Sequence, residues 1–263
     1  TEEGSNRDDT KKKSEKVACI GDQIFRFHSS DGLRTEGKRK AYLAMHLQKV
    51  QVLGTTEVGY GDTEYGRAEL EEATIEAEWD PRIHAHVFTG GCHRRNTGVA
   101  LYVRKDSAAK KLRQRKVIHE KLQMVVVDME MHGLHLRVIT THGCPKPWSR
   151  LKALHYQQVI DSLAQIEHED EITRMEGKAA EKREVIWMGD HNMVLRSLDQ
   201  KRKNKDSTAV EHAATAAMDQ AGVQYTMVEI HGNQAVAYTH GTRRLDRILC
   251  SPNLTGNNLP NIA

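Results

Sequence analysis

The chain has 263 residues, which is enough for one α/β or all-β domain and short for two. Hydrophobic residues make up 38% of it and charged residues 29%, and no run approaches the ~20 apolar residues of a membrane-spanning helix, so we expect no span. The 39 basic and 36 acidic residues leave a formal net charge of only +3, which by itself does not indicate a nucleic-acid partner.

The chain begins with a segment that contains no apolar residue. Nothing in this segment can anchor it to a core, so 1–16 are predicted to be a disordered or extended tail and 17–263 a single domain. Within that domain, short runs of strand-forming residues alternate with amphipathic segments. The predicted strands are 17–27, 50–58, 84–89, 99–104, 122–131, 134–141, 185–188, 223–230, 235–239 and 245–250.

Three segments have the periodicity or the capping residues of helices instead, namely 34–49, 149–166 and 207–221. The highly charged region 167–184 is predicted to be either a helix extension or an exposed loop. This interleaved order of about ten strands and three helices favours a two-layered sheet sandwich flanked by helices.

The most informative stretch is 185–192, where an apolar strand leads directly into Gly-Asp-His-Asn. Asp190 and Asn192 therefore leave a buried strand together, and such a strand is a rigid platform for catalytic groups. At this position Asp190 can accept a proton from a water or hold a metal, and Asn192 can hold a phosphoryl oxygen. The same tetrapeptide also suits a turn, so these residues alone leave both interpretations open.

Two further carboxylates interrupt apolar strands. Glu57 follows the apolar run 50–56, where a carboxylate is costly unless it is paired or bound to a cation. A surface glutamate at a strand end is the other interpretation. Asp246 interrupts the strand 245–250 with Arg244 and Arg247 beside it, which on its own favours a structural salt bridge.

Five segments, taken in chain order, carry a family resemblance. They are 56–58, 96–103, 136–141, 187–192 and 244–249. Together they resemble the endonuclease/exonuclease/phosphatase superfamily, and within it the abasic-site endonucleases and the endonuclease domains of non-LTR retrotransposons. The resemblance extends over about 17–253. It implies a four-layer α/β sandwich, with two central, mostly antiparallel sheets flanked by helices and the active site at one rim of the sheets.

The resemblance also implies an activity, the hydrolysis of nucleic-acid phosphodiester bonds with Mg²⁺ or Mn²⁺. Carried over by position, Glu57 and Asp190 are the metal-binding carboxylates, and Asp190 also orients or deprotonates the attacking water. Asn192 contacts the scissile phosphate, and Asp246 supports a catalytic histidine by hydrogen bonding to its ring. DNA is favoured over RNA as the partner.

Three departures from the family pattern affect this assignment. The first strand of the family carries an Asn, and alignment on Ile20-Gly21 puts Ile24 there, which cannot hydrogen-bond to a phosphate or to a metal's water. His142 stands near a phosphate-contacting Tyr of the family and is kept as a catalytic residue, because His can also donate to phosphate. The closing Ser-Asp-His motif does not occur in the sequence given, so we expect the last strand to be missing and the activity to be impaired.

These departures favour an alternative hypothesis. It is a catalytically inactive domain, a pseudoenzyme, that serves as a scaffold or binding subunit of a larger assembly with protein partners. The retention of all four polar motif residues favours the enzyme instead, because some of them would have been replaced by mutation after a loss of activity. These residues are Glu57, Asp190, Asn192 and Asp246. A lipid or small-molecule phosphatase of the same superfamily is a third and weaker interpretation.

Two basic clusters favour a polyanionic partner. The segment 104–116 contains seven Lys or Arg in thirteen positions, and a second cluster closely follows the Asp190 motif. Near a phosphodiesterase rim such charge binds a nucleic-acid backbone whatever its sequence, although a solvated surface is the common alternative. The residues predicted to bind nucleic acid are Lys110, Lys111, Arg113, Arg196, Lys201 and Arg202.

The four cysteines lie far apart, without the spacing of a disulfide framework or a zinc site. This pattern is typical of reduced thiols, so an intracellular location is expected. The nucleus and an organelle such as the mitochondrion fit equally.

Overall fold

The computed structural model describes residues 16–29, 36–58, 85–91, 97–144, 149–177, 182–192, 228–229 and 246–254. The tail predicted at 1–16 lies outside these residues apart from Lys16, as do the helix at 207–221 and the strand at 235–239. Most of the strand predicted at 223–230 lies outside them as well. Every other predicted strand and helix has a counterpart in the structure.

The first sheet consists of β1 (Lys16–Ile20), β2 (Gln23–Ser29), β3 (Val52–Thr56), β4 (Ala85–Gly90) and β5 (Val99–Arg104). Its strand order is β1-β2-β3-β5-β4. The strands β2 and β3 run parallel, with Ser29 opposite Thr56, so both end at the same edge of the sheet. The other neighbouring pairs of this sheet's described strands are antiparallel.

The second sheet consists of β6 (Lys110–Gln114), β7 (Met124–Met131), β8 (Leu134–His142), β9 (Glu184–Asp190), β10 (Val228–Glu229) and β11 (Asp246–Cys250). Its strand order is β10-β11-β9-β8-β7-β6. The parallel pair in this sheet is β8 with β9, and the remaining described pairs are antiparallel.

The two sheets pack face to face on one hydrophobic core. Alternate residues of each strand point into it, because side chains alternate across a strand. Gly54 of β3 faces this core, and a Cβ there would lie 3.0 Å from Oγ1 of Thr140 in β8, so glycine permits the close approach. The core includes Phe25, Phe27, Val52, Val99 and Leu101 of the first sheet and Val125, Val127, Val138, Ile186, Met188 and Ile248 of the second.

Among the described residues, one helix covers the outer face of each sheet. On the first sheet, α1 (Glu36–Leu47) packs Leu43 and Leu47 beside Leu53. On the second, α2 (Ser149–Met175) packs Leu163 beside Trp187. The chain therefore folds as a four-layer α/β sandwich, as the resemblance implies. Within the described segments, neither helix combines the length and the apolarity needed to cross a membrane.

Two elements differ from the prediction. The segment 17–27 is not one strand but the hairpin of β1 and β2, which turns at Gly21 with a φ of +59°. Such a two-residue turn needs a positive φ, which glycine adopts without strain. The strand β6 was not predicted, because its sequence is mostly Lys and Arg and a single inward Leu112 gives no apolar alternation.

The second half of α2 is held largely by ion pairs. Arg115, just after β6, and Arg137 of β8 are buried beneath it. Asp170 of α2 accepts a hydrogen bond of 2.6 Å from each of them, and Asp128 of β7 binds both as well. Burial raises the pKa of Asp170, but the hydrogen bonds from the two arginines outweigh burial and hold that pKa below its usual value. The charged region 167–175 is therefore a helix extension, one of the two predicted alternatives.

Candidate active site

The strand ends at one edge of the second sheet bring three predicted site residues to the same level. His142, the last residue of β8, pairs with Asp190, the last residue of β9. Asp246, the first residue of β11, pairs with Asp190 from the other side. Neighbouring strands lie about 4.8 Å apart, so the three backbones occupy about 10 Å of this rim. Of Asp246 the structure describes the backbone alone.

His142 and Asp190 continue the inward-facing rows of their strands. Val138 and Ile186, each four residues earlier in the same strand, belong to the core between the sheets. Because side chains alternate along a strand, the two site residues lie on that same inner face. The site therefore lies between the sheets at their rim. His142 is 3% exposed there, and Asp190 is half-buried.

Glu57 reaches the same rim from the first sheet. It directly follows β3, and its backbone N–H donates to the Gly98 carbonyl at 2.8 Å. Burial lowers the pKa of His142, while the Glu57 carboxylate acts in the opposite direction, and burial prevails. The Gly98 N–H in turn donates to Oε1 of Gln123, which lies 2.9 Å from Nδ1 of His142, so a chain of hydrogen bonds links Glu57 to His142 across the gap between the sheets.

Asn192 fixes the turn at the end of β9. Its backbone N–H donates to Oδ1 of Asp190 at 2.8 Å, and its Nδ2 donates to the Gly143 carbonyl at 2.9 Å. The Gly143 N–H in turn donates to the Asp190 carbonyl at 2.7 Å. Asn192 therefore holds the ends of β8 and β9 together, whether or not it also contacts a substrate. The turn interpretation and the site interpretation of Gly-Asp-His-Asn are thus compatible.

Two residues of this rim have an unusual backbone conformation. Among the non-glycine residues that the structure describes, only Glu57, Lys111, His132 and Asn192 have a positive φ. The left-handed conformation costs such residues on the order of 1–3 kcal/mol and is frequent at functional sites. His132 lies in the hairpin turn between β7 and β8, and Lys111 at the irregular pairing of β6. Glu57 and Asn192, at +57° and +48°, are the two at the rim.

Gln123 belongs to the site, although the sequence did not indicate it. It directly precedes β7, and its Oε1 accepts the backbone N–H of Gly98 at 2.8 Å. The same oxygen lies 2.9 Å from Nδ1 of His142. No motif or periodicity marks a glutamine at this position, because its importance comes from the packing of one sheet on the other.

Comparisons with known proteins bear on the fold. No protein-family model matches the sequence, and no curated protein matches it either. Among solved structures, the chain is similar to the AP endonuclease LMAP from Leishmania major, with 14% identity, a TM-score of 0.60, and coverage of 86% of this chain and 78% of that one. It is also similar to the 3′ phosphatase NExo from Neisseria bound to a product DNA hairpin, with 15% identity, a TM-score of 0.54 and 86% of each chain covered.

A third similar structure is the endonuclease domain of TRAS1, a telomere-specific non-LTR retrotransposon, with 14% identity, a TM-score of 0.50, and coverage of 86% of this chain and 83% of that one. The chain has the endonuclease/exonuclease/phosphatase fold. This confirms, for the fold, the resemblance that the sequence motifs indicate.

The family resemblance of the sequence implies a divalent metal ion, and the donor types at this rim suit one. Glu57 and Asp190 supply carboxylate oxygens and Asn192 an amide oxygen, which are the ligand types that hard cations prefer. In the part of the chain that the structure describes, no three His, Cys, Asp or Glu side chains converge on one point. Mg²⁺ is usually held by one or two carboxylates together with waters and substrate phosphate, so two carboxylates suffice.

Ile24 does not occupy the position that the alignment gave it. It lies near the amino end of β2, opposite Cys19, and packs on the outer face of the first sheet under α1. The residue of β2 nearest to the rim is Ser29, which pairs with Thr56. Oγ1 of Thr56 donates a hydrogen bond of 3.1 Å to Oγ of Ser29. The alignment was wrong because the turn at 21–22 was not recognised. Ser29 is therefore the residue that β2 places at the rim.

Asp246 and His142 lie on opposite sides of Asp190. The strand β9 separates β8 from β11, so the backbones of Asp246 and His142 are about 10 Å apart. The histidine that the resemblance assigns to Asp246 as a partner is therefore a different residue from His142.

The basic residues of β6 lie far from this rim. Lys110 pairs with Glu130 near the end of β7, whereas Met124, at the start of β7, lies beside the carboxyl end of β8. Six residues of strand, about 20 Å, separate the two levels. Lys111 forms a 2.6 Å ion pair with Glu130, and Arg113 is exposed on the same edge strand. The other predicted nucleic-acid contacts, Arg196, Lys201 and Arg202, lie outside the described residues.

Proposed function

We propose that the chain is a divalent-metal-dependent phosphodiesterase that cleaves nucleic acid, with DNA as the preferred substrate. The observation that carries this proposal is the register of β8, β9 and β11, which aligns His142, Asp190 and the backbone of Asp246 at one level. Glu57 adds a carboxylate from the facing sheet. Polar residues from four distant parts of the sequence therefore meet at the rim of a fold shared with known endonucleases.

Each of these residues has a proposed role. Glu57 and Asp190 hold Mg²⁺ or Mn²⁺, which when bound neutralises charge that develops on the phosphoryl oxygens. Asp190 orients the attacking water, because its carboxylate is itself fixed by the N–H of Asn192. Asn192 contacts the scissile phosphate, and Asp246 completes the acidic rim beside Asp190.

The proposal of DNA as substrate rests on two supports. The similar structure of NExo is bound to a DNA hairpin, and TRAS1 is a retrotransposon whose endonuclease domain has this fold. In addition, a basic cluster follows the Asp190 motif closely in the sequence, where it can contact a phosphate backbone through charge alone. Its members are Arg196, Lys201, Arg202, Lys203 and Lys205.

The test is the nicking of supercoiled plasmid DNA in the presence of Mg²⁺. The wild-type chain is expected to nick, and the Asp190→Asn variant, which keeps the shape of the side chain without its charge, is expected to be at least about 100-fold slower. EDTA should abolish the reaction. Glu171→Gln is the matched control, because Glu171 is an exposed carboxylate on the distal part of α2, and this variant should nick like the wild type.

Two outcomes would count against this function. Equal nicking by the wild type, by D190N and by the EDTA-treated chain would mean that the measured activity does not come from this site. A folded wild-type chain that nicks with neither Mg²⁺ nor Mn²⁺ would favour the alternative, an inactive domain that serves as a scaffold.

A further inference from the structure

One side-chain oxygen joins the two halves of the candidate site. Oε1 of Gln123 accepts the N–H of Gly98 and also lies within hydrogen-bond distance of His142 Nδ1. The Gly98 carbonyl accepts the N–H of Glu57, and the Gln123 carbonyl accepts the N–H of His142 at 3.0 Å. Gln123 therefore connects the residue that the first sheet contributes with the histidine that the second contributes.

These hydrogen bonds determine which ring nitrogen of His142 carries its hydrogen. A backbone N–H can only donate, so the Gln123 atom that meets Gly98 must be the oxygen of the amide and not its nitrogen. Because an amide oxygen can only accept, Nδ1 of His142 must be the donor in the second bond. In the neutral ring, Nε2 then carries a lone pair and can only accept.

This arrangement changes the chemistry expected of His142. The sequence predicts a donor to phosphate, in the place of a tyrosine hydroxyl. A neutral ring with its hydrogen on Nδ1 offers no hydrogen at Nε2, so it cannot donate to a phosphate oxygen from that side. It can instead accept a hydrogen bond from a water, and a water is the nucleophile in phosphodiester hydrolysis.

We propose that Gln123 is a positioning residue that acts through His142, an inference that rests on the proposed phosphodiesterase function. It holds the ring in the Nδ1–H form, so that Nε2 accepts a hydrogen bond from a water at the rim. The same oxygen holds the Gly98 peptide, whose carbonyl supports Glu57 in its left-handed conformation. Loss of this oxygen therefore disturbs both sides of the site at once.

The experiment compares Gln123→Met with Gln123→Glu. Methionine has a similar length and no strong acceptor, whereas glutamate keeps an oxygen for both donors. For Q123M we expect kcat in plasmid nicking to fall about 10–100-fold with KM nearly unchanged, and for Q123E we expect kcat to be largely retained. Gln114→Met is the matched control, because the Gln114 side chain likewise hydrogen-bonds to the backbone of the first sheet, donating to the Thr89 carbonyl at 2.8 Å, but does not contact His142. This control should keep the wild-type kcat.

A second readout does not depend on activity. Long-range ¹H–¹⁵N NMR spectra of the ring, at a pH where it is neutral, distinguish a hydrogen on Nδ1 from one on Nε2. The wild type and Q123E are expected to show the Nδ1–H form of His142, and Q123M to shift towards the Nε2–H form. Thermal melts of each variant show whether it is folded.

The outcomes separate this inference from the proposed function. An Nε2–H form in the wild type overturns the inference, even if the chain nicks DNA. Equal loss of kcat in Q123M and Q123E also overturns it, because both substitutions would then act by disturbing the structure and not by removing the oxygen of Gln123. If Q123M does not fold, the wild-type and Q123E spectra decide. A chain that never nicks but shows the expected switch of tautomer refutes the proposed function and supports the positioning of His142 by Gln123.

Discussion

Replacement of Asp128 by Ala should lower the free energy of unfolding by about 3–5 kcal/mol. The side chain of Asp128 is 6% exposed, and it accepts hydrogen bonds from Arg137 at 2.8 and 3.1 Å and from Arg115 at 2.9 Å. Without this carboxylate, two buried guanidinium groups share Asp170 as their buried acidic partner among the described residues. The other partners of these arginines, Glu169 and Glu167, are 43% and 35% exposed. Much of the buried positive charge is then compensated only by carboxylates that water screens, which is the costly case for a broken buried ion pair.

For a chain of this size, such a loss corresponds to a fall in Tm of about 6–20 °C. Thermal unfolding followed by circular dichroism, together with urea titration at pH 7, measures it. Glu169→Ala is the matched control, because Glu169 binds the same Arg115 at 3.0 Å but is 43% exposed. An exposed pair contributes at most about 1 kcal/mol. A Tm of D128A no lower than that of E169A would refute the reasoning from burial.

Two further predictions concern packing and pH. Gly54→Ala should lower the free energy of unfolding by about 1–3 kcal/mol, because the new Cβ would lie 3.0 Å from Thr140 Oγ1 and 3.2 Å from Met188 Cε. An unchanged midpoint in a urea titration would contradict this prediction. Burial, assisted by His28, lowers the pKa of His46 to about 4. The unfolded chain takes up this proton near pH 6.5, so stability is full above that pH and declines as the pH falls towards 4. His46→Phe should reduce the loss of stability between pH 7 and pH 5, and identical urea midpoint shifts in both proteins would argue against the assignment.

Periodicity and motif order were sufficient to predict the sandwich and the strand ends at which Glu57 and Asp190 lie. The apolar run that ends in Asp190 is the central strand β9, and the carboxylate stands at its carboxyl end, as the sequence indicates. Glu57 likewise follows a fully buried strand. These predictions succeeded because each rests on a local pattern, an apolar run followed by a polar residue at the point where the strand ends.

Features that depend on contacts between sheets could not be predicted in this way. Gln123 is unremarkable in sequence, and only the approach of Gly98 and His142 gives its amide a role. The predicted position of Ile24 was wrong because the turn at 21–22 was not recognised. The strand β2 begins only at Gln23, so Ile24 lies at the end of β2 that is away from the rim. The basic strand β6 combines an exposed edge with a single inward Leu112, so its alternation was too weak to detect.

In the part of the chain that the structure describes, each sheet contains one crossover unit, with α1 between the parallel strands β2 and β3, and α2 between β8 and β9. Glu57 follows the first unit and Asp190 ends the second, so no single layer of the protein sets the span between these two carboxylates. The backbones of these two residues are separated by the thickness of the apolar layer between the sheets, about 10 Å for packed sheets. Core substitutions that widen or narrow this layer would therefore change the separation of Glu57 and Asp190 without replacing either residue.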